Sequence, residues 1–578
     1  MNYHLGSILL LLLSTAEGFG EDKPAAVIQA DICVYGGTSG GVIAAIQAKK
    51  LGKKVILVEP GRHLGGMTAS GLSAVDIGDP RTIGGITREY FSRLIGTYGK
   101  KLDWDKPHLA KTGSGHGTGG AFSIEPHVAE RLFEELIRES EVPVYRESRL
   151  ASVKKENLRI RSFRDESGTE YQASMFIDAT YEGDLMAKTG VSYTVDREPN
   201  SLYKENYNGI QYSSSYKPRL IHQKPGPNGR TTSGQGVWDR DLPLDPYVIP
   251  GDAKSGLLPL LNPGNPGKPG EASPGIQAYC YRLCLTTAEN RLPIKPPADY
   301  NPKRYEIIAR FIKACQEIGD DLDLRWFSKH DPLPNQKWDF NTATFGGNLP
   351  GANWEWPEAT YARRLEIAKE HENYHRGLLH YLATDDSVPK KVRTEMKRFG
   401  LPRDEFPDTG GWPHQLYIRE ARRMVGDFVM TQHQLSSKHP APNSIGIGSY
   451  SIDIHETRRI VKDGVVTREG KLGAATGGPG PYRIGYGTIV PKSKECENLL
   501  VTFAVSASHV AFASIRMEPV FMSVSQSAAT AAALALDDGV SVQDVNQTTL
   551  SQQLLKDRQI LNWPPPAKSD PSSQPKPE

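Results

Sequence analysis

Eight residues constrain this chain more than any others: Val34-Tyr35-Gly36-Gly37-Thr38-Ser39-Gly40-Gly41, between an apolar run at 31–35 and an alanine-rich stretch at 42–51. Gly52 follows, and then Val55-Ile56-Leu57-Val58-Glu59. That order predicts strand, tight turn, helix, strand: a βαβ unit with connections of normal length. Glycines at the turn let the chain reverse sharply and let a pyrophosphate approach the backbone. The free N–H groups and the dipole at the helix start then favour its negative charge. Glu59 ends the second strand, 23 residues after Gly36. A carboxylate there accepts hydrogen bonds from the ribose hydroxyls of an adenosine and disfavours a 2′-phosphate. In G-x-G-x-x-G register the three positions are Gly36, Thr38 and Gly41, so Thr38 stands where the middle glycine is expected. The expectation is a dinucleotide site built on Gly36, Gly37, Thr38, Gly40, Gly41 and Glu59. The competing reading is an ordinary glycine-rich turn in an α/β protein.

Further along, Pro126 opens a helical segment that runs to about Glu139, with Val128, Leu132, Leu136 and Ile137 on its apolar face. Residues 142–178 read as strand-rich. Residues 199–275 are dense in Pro, Gly, Asn and Ser and predict long loops. Helices are expected over 300–318, 358–382 and 390–399, a buried strand over 498–503, and an alanine-rich helix over 520–537. The tail 564–578 is Pro, Ser and Lys, and is expected to be disordered.

Directly after Glu59 comes Pro60-Gly61-Arg62-His63-Leu64-Gly65-Gly66-Met67. Here the chain resembles the two-dinucleotide-binding-domain flavoproteins, in which such a segment lies along FAD. A second resemblance is Phe176-Ile177-Asp178-Ala179-Thr180-Tyr181-Glu182-Gly183-Asp184, with Tyr181 where glycine is commoner. A third is Ser506-Ala507-Ser508-His509, followed by Arg516-Met517-Glu518-Pro519 and Gln526-Ser527-Ala528-Ala529. Together they resemble the FAD-dependent oxidoreductase family that includes the flavin subunit of heterodisulfide reductase, over roughly residues 30–540. The segments 412–424 and 449–453 look like that family's exported members.

The resemblance implies an α/β fold: a Rossmann-like, glutathione reductase-like FAD-binding domain carrying an inserted α+β and helical substrate region. It implies that Pro60, Gly65, Gly66, Met67, Asp178, Ala179, Thr180, Asp184, Ser506, Gln526 and Ser527 join the cofactor site. The last helix would aim its N-terminus at the flavin. The FAD-binding domain would span 28–198 and return at 441–545, with the inserted region at 199–440. Heterodisulfide reductase subunits also carry iron–sulfur clusters, but this chain has five scattered cysteines and no C-x2-C series, so no cluster and no metal are expected.

A flavin carries the electrons, and the protein must place the substrate and move a proton. His509 is the first candidate base, because it lies between the 498–503 strand and the last helix. Arg516 is a candidate for binding a substrate oxygen or the flavin edge, and His414 for a substrate ligand, with His455 a lesser one. Arg419, Arg422, Arg423 and Glu420 read as a helical cluster that could hold an anionic or polyhydroxylated substrate, or form an ion-paired face. His371-Glu372-Asn373-Tyr374-His375 matches H-E-x-x-H, which on a helix can bind zinc, although a solvated polar face explains it equally. His63 could link to flavin covalently. Trp326, Trp338, Trp354, Trp356 and Trp412 could stack on a sugar, or simply pack.

The leading expectation is an FAD-dependent oxidoreductase that passes hydride between flavin and a small polar substrate such as a sugar derivative, with an open choice of electron acceptor. The alternatives are an NAD-linked dehydrogenase, a non-catalytic extracytoplasmic binding protein on a flavoprotein scaffold, and a zinc hydrolase. With 38% hydrophobic and 24% charged residues and a formal net charge of +2, the chain reads as globular with no footprint for nucleic acid. The apolar run Ile8–Leu13 is too short to span a bilayer. With Ser14-Thr15-Ala16 behind it, the run reads as a signal peptide over 1–20 and predicts a secreted or periplasmic protein.

Overall fold

The first strand, β1 (Val27–Tyr35), is partly exposed over its first five residues and fully buried from Ile32 to Tyr35. The switch marks where it enters the middle of a sheet. The helix α1 (Ser39–Lys50) and the strand β2 (Val55–Val58) complete the βαβ unit, with β1 and β2 parallel and Tyr35 opposite Val58. The computed structural model describes residues 26–104, 122–213, 242–436, 438–472 and 480–564. The expected signal peptide and residues 565–578 of the expected tail lie outside these.

Four more strands join: β3 (Val144–Tyr145), β4 (Leu150–Glu156), β5 (Arg159–Asp165) and β6 (Glu170–Asp178). The spatial order is β3-β2-β1-β6-β5-β4. The strands β3, β2, β1 and β6 are mutually parallel, and β5 and β4 continue as an antiparallel hairpin. One edge of β6 is shared. Its N-terminal half pairs with β5, and its C-terminal half pairs in parallel with the strand Leu499–Val501. Strand order reverses at β1, so a crevice opens at the carboxyl ends of β1 and β6, the topological switch point where α/β sheets bind ligands.

Behind the crevice lie α2 (Gly66–Ala69), α3 (Gly85–Gly96), α4 (Pro126–Glu139) and α5 (Asp184–Thr189), with Pro126 in the first turn of α4 as expected. The alanine-rich segment forms the helix Glu518–Asp538, which packs along α1. It is long and apolar enough to cross a membrane, but 89% of its most apolar stretch is buried inside the fold. It is a core helix.

Within the span expected to be inserted, the helices are Glu306–Glu317, Tyr361–Thr384 and Lys390–Met396. They lie with a three-stranded antiparallel sheet of Lys329–Leu333, Lys337–Asn341 and Leu283–Thr286. Residues 411–422 hold no helix, contrary to the expectation for the arginine cluster. Tyr417 bridges to Cys280, and Arg423–Met424 pairs with Tyr193–Thr194. Strand-type pairing therefore sends Arg419, Arg422 and Arg423 to different neighbours. The five cysteines are buried free thiols.

Candidate active site

The glycine turn is built to let backbone line the crevice. Gly36 has φ +105, and a Cβ there would lie 2.7 Å from the carbonyl carbon of Ala179, so the two strand ends touch only because no side chain intervenes. Gly66 has φ +52, and its Cβ would meet the Tyr181 hydroxyl at 2.3 Å. Thr38 needs no glycine: its φ is −63. Its hydroxyl accepts from the Gly41 N–H at 3.1 Å and donates to the Ala179 carbonyl at 2.8 Å, capping α1 and tying it to β6.

A first cavity lies over this turn. Gly36, Gly37, Thr38, Glu59, Pro60, Gly66, Thr180 and Asp184, all expected at the cofactor, line it. The Glu59 carboxylate accepts from the N–H groups of Gly37 at 2.5 Å and Gly61 at 2.6 Å, and burial pushes its pKa up to about 7. The far wall comes from Trp356, Tyr361 and Arg364, and from Gln415 and Ile418, none of which the local motif revealed. Arg364 binds Asp184 through two bonds of 2.6 and 2.8 Å, and Arg422 adds a third of 2.9 Å. Burial raises the Asp184 carboxyl, but the two guanidiniums outweigh it and hold the group below its usual range. A backbone cradle, a carboxylate at the end of β2 and arginines at the opposite wall fit a dinucleotide with its adenosine at Glu59.

Other expected cofactor residues act from behind. The Asp178 carboxylate accepts from the N–H groups of Thr180 and Met186 and shapes the turn after β6. Ala179 lies under Gly36. Gly40 packs against Phe503 and Ser525, Gly41 against the Gly36 carbonyl, and Gly65 against Phe133. Met67 takes its N–H to Tyr181. Ser506 donates to the Phe428 carbonyl, Gln526 accepts from the Ile86 N–H, and Ser527 donates to the Ile445 carbonyl. None of these lines the cavity; each holds neighbouring elements together, the glycines by close approach and the others by hydrogen bonds or packing.

A second cavity, of about 420 Å³, shares no lining residue with the first but meets the same chain segment at 415–419. Gly66 lines the first and Asp76 the second; Gln415 and Ile418 line the first, Tyr417 and Arg419 the second. Two chain segments thus run from one to the other. The second cavity is polar, with Arg282, Arg419, Lys471, Asp453 and His455 on its wall. His455 Nε2 lies 3.1 Å from Asp453 Oδ2, and its Nδ1 lies 3.2 Å from the Asn348 amide nitrogen. Ionised Asp453 only accepts, so the ring proton belongs on Nε2 and the Nδ1 lone pair accepts from Asn348. Burial, then the charge of Arg419, holds His455 well below its ordinary value and neutral.

None of the three expected catalytic residues lines either cavity. His509 is 1% exposed and bonds Glu420 through Nδ1 at 2.8 Å, away from both cavities. Glu420 accepts from Gln277, whose carbonyl oxygen accepts the His455 backbone N–H at 3.0 Å, so His509 supports the site from two residues away. Arg516 donates to Tyr417 Oη at 3.2 Å and to Asp453, bracing both. His414 donates to or accepts from Ser70 at 2.6 Å and stacks on His63 at 3.7 Å; burial pushes it down to about 4. His63 lines the first cavity, but Glu130 and Asp408 hold its two nitrogens at 2.7 and 2.9 Å. The Glu130 bond raises its pKa, and both ring nitrogens that could reach a flavin are engaged by carboxylates.

His371 and His375 are buried in the helix Tyr361–Thr384. His371 Nδ1 bonds the Ile367 carbonyl at 2.8 Å, while Glu372 faces away to Arg376 and Lys369. Among the described residues, the group with metal-ligand spacing is instead Glu125, His127, Asp404 and Glu405. There the Lys337 ammonium sits 2.7 Å from three of the carboxylates. Of the five tryptophans considered for a sugar (Trp326, Trp338, Trp354, Trp356 and Trp412), Trp356 alone lines either cavity, and that is the first.

The family described as FAD dependent oxidoreductase matches residues 31–554. The chain belongs to this family. As an FAD-dependent oxidoreductase it is an enzyme with FAD as its cofactor. No match was found among curated proteins. Similar solved structures include OxyS anhydrotetracycline hydroxylase from Streptomyces rimosus, at 10% identity over 30% of this chain and 38% of that one, TM-score 0.22. A flavoprotein/dehydrogenase from Cytophaga hutchinsonii is 16% identical over 29% and 44%, TM-score 0.21. The L-proline dehydrogenase from P. horikoshii is 18% identical over 30% and 58%, TM-score 0.21. This FAD-dependent oxidoreductase thus spans less than two thirds of the length of each.

Proposed function

We propose that this FAD-dependent oxidoreductase dehydrogenates a small polar substrate held in the second cavity, with His455 as the base, and that it works outside the cytoplasm. The observation that carries the reading is the Asp453–His455 pair on the wall of a polar chamber that meets the same 415–419 segment as the cofactor cavity. When bound, FAD supplies the acceptor for the hydride that leaves the substrate carbon. The chain's own residues supply the rest. Glu59 and the glycine turn hold the adenosine and pyrophosphate end, and Arg364 faces them. Asp453 fixes the His455 tautomer, and a substrate hydroxyl that displaces the Asn348 amide from Nδ1 would give its proton there. Arg516 and the Gln277–Glu420–His509 chain keep both in place. Tyr417 and Ile418 separate the chambers. The tryptophans pack within the fold and lend no support to a sugar. The extracytoplasmic location rests on the apolar run at Ile8–Leu13.

The test is His455→Gln. The variant should keep its bound flavin and lose about 10²–10⁴-fold in kcat against an artificial electron acceptor. Burial and Arg419 hold the free histidine neutral, so the acid limb of kcat/KM in the parent protein should fall below the usual histidine range, near 6.5. An unchanged kcat, or an acid limb that survives His455→Gln, overturns the assignment.

A further inference from the structure

We propose that the second cavity recognises a carboxylate on its ligand, with Arg419 and Lys471 as the anchoring cations. The inference deepens the reading of this cavity as the substrate chamber and rests on it.

Five arginine side chains are less than 2% exposed: Arg197, Arg282, Arg419, Arg423 and Arg459. Four have a carboxylate counter-charge. Arg197 pairs with Glu469, Arg282 with Asp339, Arg423 with Glu198 and Glu420, and Arg459 with Glu456. Arg419 has none among the described residues. Its Nη1 donates to the Ala278 carbonyl and its Nη2 to Cys280 Sγ at 3.2 Å, both neutral acceptors, while its Nε meets no partner at all. Its guanidinium rests over the Tyr417 ring at 4.6 Å. A buried charge without a counter-ion is among the most unfavourable arrangements a fold can hold. This one borders a cavity, so a ligand can supply the missing charge.

Lys471 adds a second cation to the same wall. It has no carboxylate at ion-pair distance among the described residues; burial and the charges of Arg468 and Arg419 disfavour its ammonium, with Asp453 and Glu456 opposing. The other charged groups of the cavity are matched. Arg282 has Asp339 and, at 3.9 Å, Asp76; Arg468 has Glu456 at 3.4 Å; Lys329 has Asp331 at 3.7 Å. What is left over is a planar donor fork and a point charge beside His455. A guanidinium fork matches the two oxygens of a carboxylate. The ligand's charge would also relieve the repulsion that keeps His455 deprotonated, making the histidine a stronger base once the ligand is in place.

The experiment is calorimetric titration of the FAD-loaded full chain with malonate, its neutral diamide malonamide, and sulfate, near neutral pH. Malonate should bind and perturb the flavin absorption, malonamide should not, and sulfate should be weaker than malonate. Arg419→Gln and Lys471→Gln should each weaken malonate about tenfold or more while the flavin stays bound. Lys471 is only partly buried, so its variant carries the test if Arg419→Gln loses its flavin. Equal binding of malonamide or sulfate, or a yellow Arg419→Gln protein with unchanged malonate affinity, overturns the inference. A yellow parent protein that ignores malonate overturns the carboxylate site alone. A colourless parent that binds malonate supports the site while sinking the dehydrogenase reading.

Discussion

Thr38 departs from the glycine pattern and still serves the turn. With φ −63 it needs no glycine, and its hydroxyl both caps α1 and holds Ala179. Thr38→Val should lower unfolding stability by about 1–2 kcal/mol, and Thr38→Ser should leave it nearly unchanged, as read from denaturant midpoints. Glu59 is the residue proposed to hold the nucleotide's ribose, and burial raises its pKa to about 7. Ribose hydroxyls favour its ionised form, so FAD affinity should weaken as pH falls below about 7. Glu59→Gln should lose about tenfold or more in affinity and most of that pH dependence, measured by flavin fluorescence titration. Both residues were legible in the sequence because the motif is local. The sequence marks His455 only faintly and favours His509. Chain order brings His509 near the site, but it cannot tell which way a side chain points, and this one points to Glu420. Arg419 was named for an anionic ligand on a helical argument that the extended backbone there does not support; its burial beside a cavity is a tertiary fact.

At the level of elements, the joints are polar. The Glu518 carboxylate, at the start of the helix Glu518–Asp538, accepts from Ser39 at the start of α1, Thr68 in α2, and Tyr181 after β6. Tyr181, the other departure from the flavoprotein pattern, thereby fastens three elements around the cofactor cavity. Asp184, in the first turn of α5, clamps Arg364 of the helix Tyr361–Thr384 and Arg422 near the Arg423–Met424 strand. Asp184→Asn leaves two buried guanidiniums short of charge and should cost about 3–5 kcal/mol in denaturation experiments. The helices themselves were well marked by their periodicity and composition. Their partners were not, since Asp184 and Arg364 are 180 residues apart and no local pattern links them.

For the whole molecule, charge burial sets a pH dependence. The Glu518 pKa is raised from 4.5 to about 7, first by burial. The folded protein therefore holds this proton more tightly than the unfolded chain. Stability falls as pH rises through that window, by an amount on the order of 3 kcal/mol. Glu518→Gln should flatten the decline in Tm of the cofactor-free protein between about pH 5 and about pH 8. The order of the three flavoprotein segments, at the start, second quarter and end of the chain, foretold the sheet, in which β1, β6 and the strand Leu499–Val501 lie side by side. The second cavity was illegible for the opposite reason: its walls come from near residues 76, 282, 341, 417, 453 and 468, and only the folded chain assembles them.

The shared edge of β6 sets a timetable for synthesis. Its N-terminal half finds β5 at once, since the two are neighbours in the chain. Its C-terminal half, which leads directly into Ala179 and the cofactor crevice, waits for Leu499–Val501, when more than four fifths of the chain has left the ribosome. Until then the crevice has a raw strand edge on one side, open to pairing with another chain. A protein cut short before Leu499 would keep its glycine turn and its Glu59, and would be expected to aggregate through β6 before it could hold a nucleotide.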